Sequence, residues 1–140
     1  MRLDRLAACL LAGLLLMGCS GLTLWAHLLG PEPTESTRVG DPARGAEIFT
    51  HNQNEAPPCT TCHQVVKGGY GFSLGPNLEN IADRAGSRIE GFSAEQYLED
   101  SILQPAHYVV SGFHVSMYTE YAERLSAQDV ADLVAYLMTL

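Results

Sequence analysis

Hydrophobic and polar positions follow two different patterns along this chain. From Leu6 to Leu29 apolar residues run almost unbroken, with no Asp, Glu, Lys or Arg among them. From Asp41 onward they recur at helical spacing. Asp41 is a capping residue with Pro42 at the first helical position, where a missing N–H breaks no bond, so a helix through Phe49 is predicted. Asn77 to Ala85, between Gly75-Pro76 and Gly86, predicts a short second helix. Ser93 opens another, Gln96 completes its capping box, and Pro105 ends it. Ser126 and Asp129 open the last, whose apolar stripe is Val130, Leu133, Val134 and Leu137. No stretch alternates at period two as a strand would. The expectation is an all-α domain over residues 41–140, preceded by a leader or anchor at 1–29 and a linker at 30–40. The linker is rich in Pro, Gly and small polar residues, and fully extended it reaches at most about 40 Å.

The apolar start has the parts of a secretory signal: Arg2 and Arg5 ahead of the run Leu6 to Met17, then the small segment Gly18-Cys19-Ser20. Leu16-Met17-Gly18-Cys19 resembles a bacterial lipobox, which implies acylation of Cys19 as a new N-terminus. The chain nevertheless stays apolar through Leu22, Leu24, Trp25, Leu28 and Leu29. At about 1.5 Å rise per residue the whole run would also span a bilayer uncleaved. A lipid on Cys19, a spanning helix and a cleaved leader are the three readings. The positive-inside bias of Arg2 and Arg5 places the domain outside the cytoplasm in each.

Charge narrows the partners. The net charge is −8, but the first thirty residues carry +1, so the remainder carries −9 with Lys67 as its single lysine. Such a surface repels nucleic acid and favours redox partners with basic docking surfaces. It also keeps a domain soluble.

Cys59-Thr60-Thr61-Cys62-His63 carries the chemistry. CxxCH is the attachment pattern of c-type haem. Two thiols reach the two vinyl groups on one edge of a rigid macrocycle, and a two-residue gap on a helical turn supplies their separation. His63 then lies under the ring as an iron ligand. A zinc knuckle would need two more close ligands, and no second CxxC or HxxxH exists. A thioredoxin-like pair expects a preceding strand, whereas Glu55-Ala56-Pro57-Pro58 precedes this motif. Cys9 and Cys19 lie in the leader, so no disulfide framework is expected.

A six-coordinate haem needs a second ligand, usually Met or His. Met138 falls in the last helical stripe and reads as helix packing. Met117 falls in the irregular stretch 109–117, where iron ligation gives it a reason. His114 and His107 compete in the same region, while His51 and His27 have no supporting context.

Together these residues resemble a class I c-type cytochrome over essentially all of 41–140. The resemblance implies first and last helices crossing over the covalently bound haem, with Gly45 and Phe49 meeting Leu133 and Tyr136. Gly75-Pro76-Asn77-Leu78 matches the family's GPxL segment, which implies that the Pro76 carbonyl accepts a hydrogen bond from His63. Pro105, Gly112-Phe113 and Met117 match the loop that delivers the distal methionine, although Tyr118 stands where the family usually has proline.

The resemblance implies single-electron transfer through one haem c held by Cys59 and Cys62, with His63 and Met117 as axial ligands and no enzyme activity of its own. Met/His ligation raises the potential relative to bis-His, and burial by Phe72, Leu74, Leu78, Ile81 and Val110 raises it further. A haem peroxidase or a gas-sensing haem module are the alternatives; each needs an open or displaceable sixth position. The Pro105–Met117 segment is similar to monohaem subunits of bacterial quinol-oxidising assemblies, including alternative complex III. With the membrane anchor, that implies a subunit of, or tethered partner to, a respiratory or photosynthetic complex.

Overall fold

Asp41 starts the first helix as its sequence demands: its carboxylate accepts from the Ala43 N–H at 2.9 Å, and Pro42 follows at the first position. The computed structural model describes residues 38–68 and 73–140. The leader readings, Cys9, Cys19, His27, most of the linker and Phe72 lie outside the described residues. Helix α1 spans Pro42–Thr50, a single 3₁₀ turn spans Cys59–Thr61, and α2 spans Ile81–Ala85. Then come α3 (Ala94–Leu103), α4 (Tyr121–Arg124) and α5 (Ala127–Leu137). Ser93 with Gln96 and Ser126 with Asp129 both form the expected capping boxes. Among the described residues there is no strand beyond one isolated bridge, Gln53 to Ala56, so the domain is all-α. None of the described helices is long and apolar enough to cross a membrane.

α1 packs on α5 at close range because α1 presents a glycine. A Cβ at Gly45 would stand 2.0 Å from the Asp132 carbonyl oxygen, so only glycine lets the backbones approach so near. The Phe49 and Tyr136 rings meet beside it with centroids 5.3 Å apart. Phe49 and Leu133 are almost wholly buried, and their removal from water is a main stabilising term at this crossing. A polar clamp closes the same contact. Arg44 pairs with both Asp129 and Asp132, and the Asp41 N–H donates to Asp132 Oδ1 at 2.8 Å. Burial pushes the Asp132 carboxyl up, but hydrogen bonds from Asp41, Gln128 and Arg44 outweigh it and hold the group below its ordinary value. Asp129 is likewise raised by burial and lowered further by Ser126 and Arg44, with a net fall.

α3 packs on α5, α2 on α3, and α4 on α3. Two local outcomes differ from the sequence expectation. The helix expected from Asn77 begins only at Ile81. Asn77 Oδ1 accepts from the Glu79 N–H at 3.0 Å, and Arg84 donates to the Asn77 and Glu79 carbonyls. Those bonds hold 77–80 as a turn, with Asn80 in the left-handed region at φ +51. The four-residue α4 carries no cap signal and was not expected. Tyr121 anchors it, donating its hydroxyl to the Pro57 carbonyl at 2.9 Å.

Candidate functional site

The 3₁₀ turn sets the cysteine spacing. The Cys62 and His63 N–H groups both donate to the Cys59 carbonyl, at 3.1 and 2.9 Å. That turn folds the motif so that Cys59, Cys62 and His63 line one cleft. Both cysteines are free thiols. Burial pushes the Cys59 thiol up to about 11, so it sits as the neutral form against apolar neighbours.

A second segment holds His63 in orientation. The Gly75 N–H donates to the Cys62 carbonyl at 2.9 Å and the Leu78 N–H to the Gln64 carbonyl at 2.8 Å. These bonds bring Pro76 alongside, and His63 Nδ1 donates to the Pro76 carbonyl at 2.9 Å. Burial lowers the His63 pKa and the bond to Pro76 offsets this only in part, so the ring is held neutral. With its proton committed at Nδ1, the ring has its lone pair at Nε2, the form a metal requires.

The cleft encloses about 1030 Å³, its open mouth included. Its walls are mainly apolar: Leu78 and Ile81 from one side, Tyr97, Leu98 and Ile102 of α3, and Leu133 and Leu137 of α5. Met117 lines it, half-buried and packed against the core. Met117 also lines a smaller recess shared with Cys59, Cys62 and His63. Leu74 and Val110 also line the cleft, Val110 half-buried and Leu74 64% exposed. His114 reaches the cleft too but is exposed. His107 is elsewhere, its Nδ1 2.8 Å from Asp100 and its ring against Phe92. His51 caps the end of α1. Met138 packs at the end of α5, as its place in the stripe implies.

Several lining residues carried no chemical signal in the sequence. Tyr97, Leu98, Ser101 and Ile102 share one face of α3, and that i, i+1, i+4, i+5 spacing was the only trace of them. Arg84 and Arg88 line the cleft from α2 and the turn after it. The donor set fits a haem: two thiols, a neutral imidazole and a thioether line one cleft whose other lining is mainly apolar. Such a group, when bound, supplies a one-electron Fe(III)/Fe(II) couple. The chain's part is to fix it covalently, present one imidazole face and exclude water.

Comparison with known proteins agrees with this geometry. The family model described as cytochrome c matches residues 42–140. The chain is 32% identical to the cytochrome c of Theileria annulata over 113 residues, covering 76% of this chain and 92% of that protein. It is 30% identical to the cytochrome c of Ulva intestinalis over 110 residues, covering 70% and 88%.

Proposed function

Because this chain belongs to the cytochrome c family, whose members transfer electrons through covalently bound haem, we propose a specific form of that activity. It would carry one haem, bonded through Cys59 and Cys62, with His63 and Met117 as the residues that hold the iron. It works outside the cytoplasm, held to a membrane by its N-terminal segment, as a subunit of or tethered partner to a respiratory or photosynthetic complex. The observation that carries the reading is the His63–Pro76 bond at 2.9 Å, in a cleft that also holds both cysteines and Met117. It fixes the imidazole in the tautomer that binds iron, and Met117 is the half-buried sulfur available for the other face. Held by both His63 and Met117, the haem would supply electron exchange and little else. The anchor rests on the apolar run from Leu6 to Leu29 and on the lipobox resemblance at Cys19. The acidic domain suits a basic redox partner.

The test is expression alongside a c-type haem maturation system, followed by extraction of membranes in mild detergent. A haem-stained band in the membrane fraction, a low-spin spectrum with a red methionine–Fe(III) band, and co-purifying redox proteins are expected. A high-spin spectrum would move the reading to a peroxidase or a gas sensor. Intact mass separates the anchors: acyl mass on a chain beginning at Cys19, or an uncleaved chain without it. A chain cleaved beyond Cys19 and free in the soluble fraction would remove the anchor.

A further inference from the structure

Met117 is followed by Tyr118, whose half-buried ring stands edge-on to the buried ring of Tyr121, with centroids 5.1 Å apart. The Tyr118 hydroxyl donates to Glu120 Oε2 at 2.9 Å. The same oxygen accepts from Arg124 Nη2 at 3.2 Å, and Arg124 Nη1 donates to Glu55 at 2.6 Å. Two further bonds run alongside. Asn54 Nδ2 donates to the Arg124 carbonyl at 3.1 Å, and the Tyr121 hydroxyl to the Pro57 carbonyl at 2.9 Å. Tyr118, Glu120 and α4 are thereby tied to residues 54–57, the segment that leads into Cys59.

That segment is itself constrained. Gln53 and Ala56 exchange backbone hydrogen bonds at 3.2 and 2.8 Å around Asn54 and Glu55, which hold φ +49 and +68. Two consecutive non-glycine residues in the left-handed region persist only where their surroundings hold them, and the bonds from Asn54 and Glu55 run to Arg124. On the other side, the stretch between α3 and α4 contains no helix, so the place of Met117 in it depends on how its ends are fixed. Glu55, Glu120 and Arg124 line neither the cleft nor the smaller recess, so they do not shape the site directly.

A lone exposed ion pair stabilises little, but here one guanidinium bridges two carboxylates and a tyrosine hydroxyl shares one of them. We propose that Tyr118, Glu120, Arg124 and Glu55 form a clasp that positions Met117 by tying the residue after it to the hairpin before Cys59. They are positioning residues, acting on the iron only through Met117. This rests on the reading that Met117 holds the iron. It adds that the segment entering the first cysteine and the segment delivering the sulfur are held as one unit, so a change at Glu55 is felt at Met117.

The experiment is imidazole titration of the oxidised holoprotein, after haem staining, followed at the red methionine–Fe(III) band; imidazole competes with Met117. Tyr118→Phe keeps the ring and loses the hydroxyl, and is expected to bind imidazole about 3-fold tighter than wild type. Arg124→Gln and Glu55→Gln shift it the same way by about 2-fold each. Arg124→Lys gives back part of the change. Tyr118→Phe combined with Arg124→Gln shifts less than the two singly predict, because both open one clasp. Glu99→Gln removes an equally exposed carboxylate of α3 outside the clasp and leaves the affinity at the wild-type value. Hydrogen exchange supplies a readout independent of the iron: amides 116–121 exchange faster in Glu55→Gln. A role in overall stability alone lowers the melting temperature without changing imidazole affinity. A wild type that stains for no covalent haem, or stains without the red band, sinks the underlying reading of Met117. With stain and band both present, Tyr118→Phe and Glu55→Gln proteins that bind imidazole as wild type does overturn the clasp. If Tyr118→Phe yields no holoprotein, Glu55→Gln decides by the same criterion.

Discussion

Gly75 lies against the His63 ring so closely that a Cβ at position 75 would stand 2.5 Å from His63 Cε1 and 2.8 Å from Nδ1. The next residue, Pro76, accepts the ring's Nδ1–H. The backbone of 75–76 therefore orients the imidazole by contact on one side and by a hydrogen bond on the other.

Gly75→Ala should push the ring off the Pro76 carbonyl. Overpacking of this kind is destabilising by about 1–3 kcal/mol, and Gly75→Val should exceed Gly75→Ala. Thermal melts of the holoprotein check the order, and the optical spectrum checks the ligand set. Wild-type melting and spectrum in both variants would show that the ring has room the geometry denies it.

Cys59→Ala and Cys62→Ala should each cripple covalent haem attachment, since each thiol forms one thioether. The double variant should lose the haem-stained band on a denaturing gel altogether. A full-strength band there would end the haem reading.

Met117 and His114 both line the cleft, but Met117 is half-buried and His114 exposed. Met117→Ala should open the site, remove the red methionine–Fe(III) band and raise reactivity with carbon monoxide. Met117→His should keep six ligands and lower the potential, because thioether sulfur favours Fe(II) over imidazole. The opposite pattern, an unchanged spectrum in Met117→Ala and a disturbed one in His114→Ala, would transfer the ligand role to His114.

The acid side of the stability profile should be set in part by the α1–α5 clamp. Asp129 and Asp132 both have folded values below their ordinary ones. Their contribution is therefore present above the unfolded carboxylate value of about 3.9 and is lost as pH falls through the folded values. Asp132→Asn should lower stability at neutral pH by about 1–3 kcal/mol, since it weakens hydrogen bonds at a buried site. The gap between wild type and variant should narrow as pH drops from 5 to 2. Denaturant titrations at several pH values check this, and a gap that widens toward low pH would contradict the sign.

Much of this molecule is local, and local features were legible in the sequence. Asp41-Pro42, Ser93 with Gln96, and Ser126 with Asp129 act over three residues or fewer, so their side chains find their partners wherever the helix lies. The CxxCH turn is equally short range: the Thr61 N–H returns to Pro58, and the Cys62 and His63 N–H groups to Cys59. The apolar stripe of α5 and the place of Met138 in it follow from helical periodicity alone.

The Pro76 carbonyl on His63 was implied only by family likeness, because nothing in residues 63–76 taken singly forces the two together. Bonds to a preceding segment hold Asn77 and Leu78 out of the helix, the Leu78 N–H donating to the Gln64 carbonyl and Asn77 Nδ2 to the Val66 carbonyl. Tertiary contact likewise stabilised Tyr121–Arg124, a helix too short to hold itself without Tyr121 fixed to Pro57. Arg44 is paired to Asp129 and Asp132 across more than 80 positions, a distance no sequence window covers. Arg88 and Ser101 make the same point most sharply. In the sequence nothing marks either residue; only folding buries Arg88 Nε and Ser101 Oγ and sets both residues along one cleft, with no hydrogen-bond partner among the described residues. Short-range chemistry is written in residue order, whereas burial and the meeting of distant groups exist only once the chain has closed on itself.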